Sequence, residues 1–221
     1  VQGWFAPNKG YTGVSPGRLL DTRPGAITVD GQQAGAGAIG PVGTMALTVA
    51  GRGGVPSSGV AAVVLNITAT GASAGSFLTV YPSGAAKPNA SNVNFGAGQT
   101  IPNLVIAKVG ADGKVSISNL NGQVHVVADV QGWFGVGDMY GSLPPARLAD
   151  TRAGTQTVDG GLAGTGAVVA GQTLSLPVVD RGGVPESQVG AVVHNVTATG
   201  ATTGSFLTAY PSGSVRPNAS N

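Results

Sequence analysis

Apolar residues in this chain come in short runs, some alternating with polar residues and some unbroken, with turn residues between them. In 44–49 (TMALTV), Met45, Leu47 and Val49 occupy every second position, the two-residue period of a half-buried strand. Residues 60–70 (VAAVVLNITAT) begin fully apolar and end alternating, with Leu65, Ile67 and Ala69 opposite Asn66, Thr68 and Thr70. Further candidate strands are 18–23 (RLLDTR), 76–81 (SFLTVY), 92–95, 101–109 (IPNLVIAKV), 115–118 and 124–134 (VHVVADVQGWF). Residues 6–17 read as a linker and 24–43 as a long loop. The stretch 71–75 predicts an antiparallel hairpin between its flanking strands, and Asp112-Gly113 and Asn121-Gly122 are hairpin signals of the same kind. No segment has the helical period. The pattern predicts an all-β fold, an antiparallel β-sandwich or barrel-like module of about eight short strands.

The pattern then recurs. Residues 1–5 and 130–134 both read VQGWF, and Asp21 and Asp150, Tyr81 and Tyr210, and Asn92 and Asn221 keep one offset (150 − 21 = 129). This predicts tandem copies. Residues 1–5 would be the last strand of a preceding repeat, 12–135 a complete repeat unit, and 140–221 a second unit lacking its final strands. Such a truncated unit would expose a sheet edge, which folded proteins avoid, so a longer array or a strand-donating partner is expected. Another arrangement consistent with the offset makes 1–92 and 130–221 equivalent lobes around a unique centre. Either way, twin segments should adopt like conformations.

Composition narrows the function. Charged residues are 9% and aromatic residues 5%, with 38 Gly and 14 Pro, so the core must come from Val, Ala, Leu and Ile. The net charge of +2, with no Lys/Arg cluster, lacks the footprint of a nucleic-acid binder. There is no cysteine, which removes thiolate metal sites and thiol nucleophiles, and no apolar run long enough for a membrane span. No cofactor or metal is expected.

The charges that recur are Arg18, Asp21 and Arg23 with Arg147, Asp150 and Arg152, together with Asp30/Asp159 and Arg52/Arg181. Asp21 and Asp30 form a candidate carboxylate pair for a glycoside hydrolase. Flanking arginines would instead keep Asp21 ionised, so the set reads as structural ion pairs. His125 and His194 do not correspond, and alternation gives His194 a core-facing place. The best candidate for recognition is the 124–134 strand. Alternation puts Val124, Val126, Ala128, Val130 and Phe134 on one face and His125, Asp129, Gln131 and Trp133 on the other. An indole beside a carboxylate and an amide suits a sugar ring, although Trp133 also suits a junction with the next unit. Trp4 is its counterpart in the first VQGWF. A second candidate is Tyr81 with Asn89 and Asn92 of the PNASN run, and with Tyr210 in the repeat.

The linked motifs RLLDTR, GRGGVP, VVLNITATG, SFLTVYPSG, PNASNVNF, GQTIPNLVIAKVG and HVVADVQGWF resemble a repeat of secreted actinobacterial proteins. That repeat stands in tandem or beside secreted hydrolases such as peptidases and cell-wall amidases. The resemblance implies a secreted or cell-envelope location and a non-catalytic accessory role. Residues and resemblance together point to an attachment or spacer module on the cell surface, with weak binding of cell-wall or environmental glycans strengthened by repetition. The alternatives are a structural subunit that assembles with neighbouring repeats or other copies by strand complementation, and a hydrolase using Asp21 and Asp30.

Overall fold

The computed structural model describes residues 10–138 and 140–216; VQGWF at 1–5, with Trp4, and the second PNASN run at 217–221 lie outside the described residues. The chain divides into two compact units, Val1–Arg147 and Leu148–Asn221.

Unit 1 contains eight strands: β1 Tyr11–Asp21, β2 Thr44–Thr48, β3 Val60–Thr70, β4 Ser76–Pro82, β5 Val93–Phe95, β6 Ile101–Lys108, β7 Lys114–Asn119 and β8 His125–Gly135. They form two four-stranded sheets, ordered β1-β8-β3-β6 and β2-β7-β4-β5. Every ladder between them is antiparallel. One core joins Leu65, Ile67, Val126 and Ala128 of the first sheet to Leu47, Leu78, Val80 and Ile117 of the second. Two sheets sharing one core are consistent with a β-sandwich, and neither closes into a barrel. Among the described residues there is no helix, and so none long and apolar enough to cross a membrane.

Three expectations need correction. β1 begins at Tyr11, inside the stretch that reads as a linker. It survives Gly13, Pro16 and Gly17 because it lies along β8 and skips register between Gly13 and Gly17. The hairpins at 71–75, Asp112-Gly113 and Asn121-Gly122 are not hairpins, since each joins strands of different sheets. Gly113 and Gly122 do hold positive φ (73° and 58°), so the turn chemistry is right and only the partner is wrong. Finally, unit 2 does not repeat the strands of unit 1. Among its described residues no strand forms and none is buried.

The topology explains that last difference. In unit 1 no ladder joins any two of β1 to β4; β1 pairs with β8, β2 with β7, β3 with β6 and β8, and β4 with β5 and β7. Residues 140–221 contain the sequence counterparts of β1 to β4 only. Alternating apolar sequence does not make a strand when no neighbour supplies its hydrogen bonds. His194, expected in the core, is accordingly exposed, whereas Leu65 at the same place in unit 1 is fully buried.

Candidate functional site

The loop after β1 carries most of the recurring charge. Asp21 is buried, and its carboxylate accepts from the Arg23 backbone N–H (3.1 Å), from Arg23 Nε (2.9 Å) and Nη2 (2.6 Å), and from Arg18 Nη1 (3.2 Å). Arg18 also grips Asp129 of β8 through Nε (2.9 Å) and Nη2 (3.3 Å). The Arg23 hydrogen bonds hold the Asp21 carboxyl below the usual carboxylate range, against the opposing effect of burial. Arg52 is buried and donates to both oxygens of Asp30 (2.7 Å each), to Gln33 Oε1, and to the backbone carbonyls of Leu19, Gln32 and Thr48. That contact takes the Asp30 carboxyl down to about 2. Both carboxylates of the candidate hydrolase pair are thus ionised anions held by arginines, and neither has the raised pKa of a general acid.

Unit 2 makes the same local contacts. Asp150 accepts from Arg152 Nε (2.9 Å) and Nη2 (2.7 Å), and Arg181 grips Asp159 through Nε (2.5 Å) and Nη2 (2.7 Å) while donating to the Leu148 carbonyl (2.8 Å). Arg147 is half-buried.

The recognition face on β8 is rearranged by a bulge. Val130 pairs with Leu65 and Gly132 with Val64, so Gln131 is an extra residue opposite β3. One extra residue inverts the alternation beyond it. Trp133 consequently turns inward onto the main core, and Phe134 turns outward into a small cluster with Ala62 and Val64, flanked by Tyr11 and Tyr140. The Phe134 ring stacks on Tyr140 (4.5 Å between centroids) and tilts against Tyr11 (5.4 Å). The Tyr11 hydroxyl donates to the Gln131 carbonyl at 2.9 Å, and its ring lies so close to Gly132 that a Cβ there would sit 2.4 Å away. VQGWF is therefore spelled by packing, with Val130 in the core, Gln131 in the bulge, Gly132 under a ring, Trp133 inward and Phe134 outward. Trp133 does not share a face with His125 and Asp129, which corrects the sequence expectation. Two adjacent large apolar residues after Gly132 already break the two-residue period, and this is the signal that reading missed.

His125 contacts the Thr22 hydroxyl (3.0 Å), which also accepts from the Val126 N–H (2.9 Å) and so ties the loop to β8. Tyr81 is buried. Asn92 is structural, its Oδ1 accepting from the Val80 N–H at 2.7 Å. Tyr210 lies 3.3 Å from the Thr173 hydroxyl.

Two open depressions on unit 1 bear on the sequence expectations. One, of about 400 Å³, is lined by Pro16, Arg18, Ile27, Asn66, Asp129 and Gln131. The other, of about 370 Å³, is lined by Phe77, Lys87, Pro88, Asn89, Ala90 and Leu120. The first keeps Asp129 and Gln131 from the expected recognition face but has no aromatic ring. The second keeps Asn89, in the company of Phe77 and Lys87, which the sequence reading did not single out. Among the described residues no three His, Asp or Glu gather into a metal site. No family model matches the chain, and no curated protein sequence matches it.

Proposed function

We propose that this chain is a non-catalytic attachment or spacer module of the cell exterior, with a shallow site for weak glycan binding at Phe77, Lys87 and Asn89. The observation that carries this reading is the fate of the polar chemistry. The recurring carboxylates Asp21 and Asp30 are each held by an arginine, and hydrogen-bonding depressions lie open on the surface. In the second depression an aromatic ring lies beside an amide and a cation. That set can stack on the apolar side of a sugar and bond its hydroxyls. The depression is open and shallow, which suits the low affinity that repetition compensates.

A glycan array probed with the full chain, with Phe77→Ala and Asn89→Ala alongside, tests this. Binding lost in both variants, and kept when Asn66 in the other depression becomes Ala, is the expected result. Absence of binding to every glycan removes the binding half and leaves a spacer. Turnover of any glycan that disappears in Asp21→Asn overturns the whole reading.

A further inference from the structure

We propose that the depression on the outer face of the first sheet, lined by Asn66, Asp129 and Gln131, binds an uncharged polypeptide segment in extended conformation through its main chain. The proposal goes beyond the glycan reading, concerns a different part of the surface and does not depend on it.

The first support is the way the depression is made. Arg18, Asp129 and Asn66 stand abreast on β1, β8 and β3, because Asp129 pairs with Arg18 on one side and with Asn66 on the other. Their sequence neighbours Leu65, Ile67, Ala128 and Val130 lie in the core, so the row faces away from it. The ladders are irregular around this row. β8 carries the extra residue Gln131, and β1 shifts register between Gly13 and Gly17 and again between Arg18 and Leu20. Pro16 falls within the first of those shifts. Ile27 reaches the rim from the loop after β1, which is tied down where the Val29 N–H donates to the Arg18 carbonyl (2.9 Å). Irregularities of this kind re-aim side chains and concentrate beside functional sites, and here they border one depression on two strands.

The second support is unused hydrogen-bonding capacity. Among the described residues, no protein group bonds the side-chain amide of Asn66 or of Gln131, and only the main-chain carbonyl of Gln131 is engaged, by Tyr11. Each amide offers an acceptor and donors together. Arg18 also keeps guanidinium N–H groups beyond those engaged by Asp21 and Asp129.

The third support selects the ligand. Arg18 and Arg23 balance Asp21 and Asp129 within one hydrogen-bonded cluster, so no net charge there attracts a charged ligand. The depression has no aromatic ring for the apolar side of a sugar; its apolar parts are Pro16 and Ile27, the latter 81% exposed. An extended polypeptide meets these conditions. Its peptide groups carry a donor and an acceptor, as the two amides do, and its aliphatic side chains can cover Ile27. The spacing agrees as well. Gln131 stands diagonally across from Asn66, two positions beyond Asp129, which places them roughly 7 to 8 Å apart. Alternate peptide groups of an extended chain recur about every 7 Å.

The test uses the full chain and an array of capped hexapeptides built from Gly, Ala, Val, Leu, Ser and Thr, followed by calorimetry with the peptide held most tightly. Binding is expected, and N-methylation of that peptide's main-chain amides should abolish it with no change to the protein. Asn66→Ala and Gln131→Ala should each weaken binding at least about fivefold, while Asn89→Ala in the other depression leaves it unchanged. Raising salt from about 0.05 M to about 0.5 M should alter the affinity less than about twofold, because no net charge is matched. Absence of binding to every hexapeptide, tolerance of N-methylation, full affinity in both amide variants, loss in Asn89→Ala, or displacement of the peptide by neutral oligosaccharides would each overturn the proposal. The glycan reading is decided separately, by Phe77 and Asn89.

Discussion

The loop and the strands of unit 2 behave differently, although both repeat sequences found in unit 1. The loop is the same in the two units. Gly35 N–H donates to the Asp21 carbonyl at 2.8 Å and Gly164 N–H to the Asp150 carbonyl at 2.9 Å; Gly37 reaches Thr22 at 3.0 Å and Gly166 reaches Thr151 at 2.9 Å. The strand sequences are not the same in outcome, because eight strands pack in unit 1 and none forms among the described residues of unit 2. The part of the loop that the two units share closes on contacts at most 33 residues apart, such as Arg52 to Leu19, although in unit 1 Thr22 also ties the loop to β8. The strands close on partners far along the chain, such as Arg18 to Asp129 on β1 and β8. Local chemistry is inherited with a piece of sequence, and sheet structure is inherited only with the whole module.

The largest effect should separate the two units by burial. Leu78→Ala removes a fully buried side chain from the core shared by both sheets, and unit 1 should lose about 3 kcal/mol in urea unfolding. Leu207→Ala, the same change 129 residues later, should leave the curve within about 0.5 kcal/mol, because its side chain is substantially exposed. Equal losses would show that the two regions are more alike than their burial.

These contrasts also mark what the residues reveal and what they conceal. Alternation in 60–70 and 76–81 is enough to place β3 and β4 nearly to the residue. It says nothing about which sheet each joins, since a turn such as Gly71 to Gly75 looks alike whether the next strand pairs alongside or crosses the sandwich. Of the seven consecutive strand pairs only β4 and β5 are hydrogen-bonded neighbours. The candidate site was half legible for a related reason. Asp129 and Gln131 are partly exposed and line one depression, but the bulge at Gln131 is set by β3 and β1 and carries Trp133 inward. Phe77 and Lys87 meet Asn89 only after the chain folds, so no spacing announced them.

A smaller effect sharpens the loop side of the comparison. Arg52→Ala removes a buried side chain that donates to the Leu19 carbonyl in a buried place and to Asp30 and the Gln32 and Thr48 carbonyls in partly exposed ones, and should cost unit 1 about 1 to 2 kcal/mol. Arg181→Ala removes the corresponding clamp where Asp159 is more exposed, at 40% against 29% for Asp30, so the change should be smaller. Hydrogen exchange at Gly35 and Gly164 reads the two loops separately.

The smallest effect is the pH dependence of that clamp. Arg52 lowers the Asp30 carboxyl from 3.8 to about 2 in the folded protein. A carboxyl whose folded pKa is depressed contributes stability above its unfolded pKa and loses it as pH falls through the folded value. The contribution of Asp30 should therefore be complete at pH 5, decline from about pH 4 and be gone below about pH 2, amounting to on the order of 1 kcal/mol after solvent screening. Asp21, lowered mainly by Arg23, adds to the same acid-side loss. Asp30→Asn should flatten the stability curve between pH 4 and pH 2 and lower its plateau at pH 7. The difference between the two proteins must shrink with acid, because protonation makes the native side chain neutral as well. A gap that stays constant down to pH 2 would mean that the loop is held by the shape of the Arg52 pocket and not by charge, and the equivalence of the two loops would then rest on their turns alone.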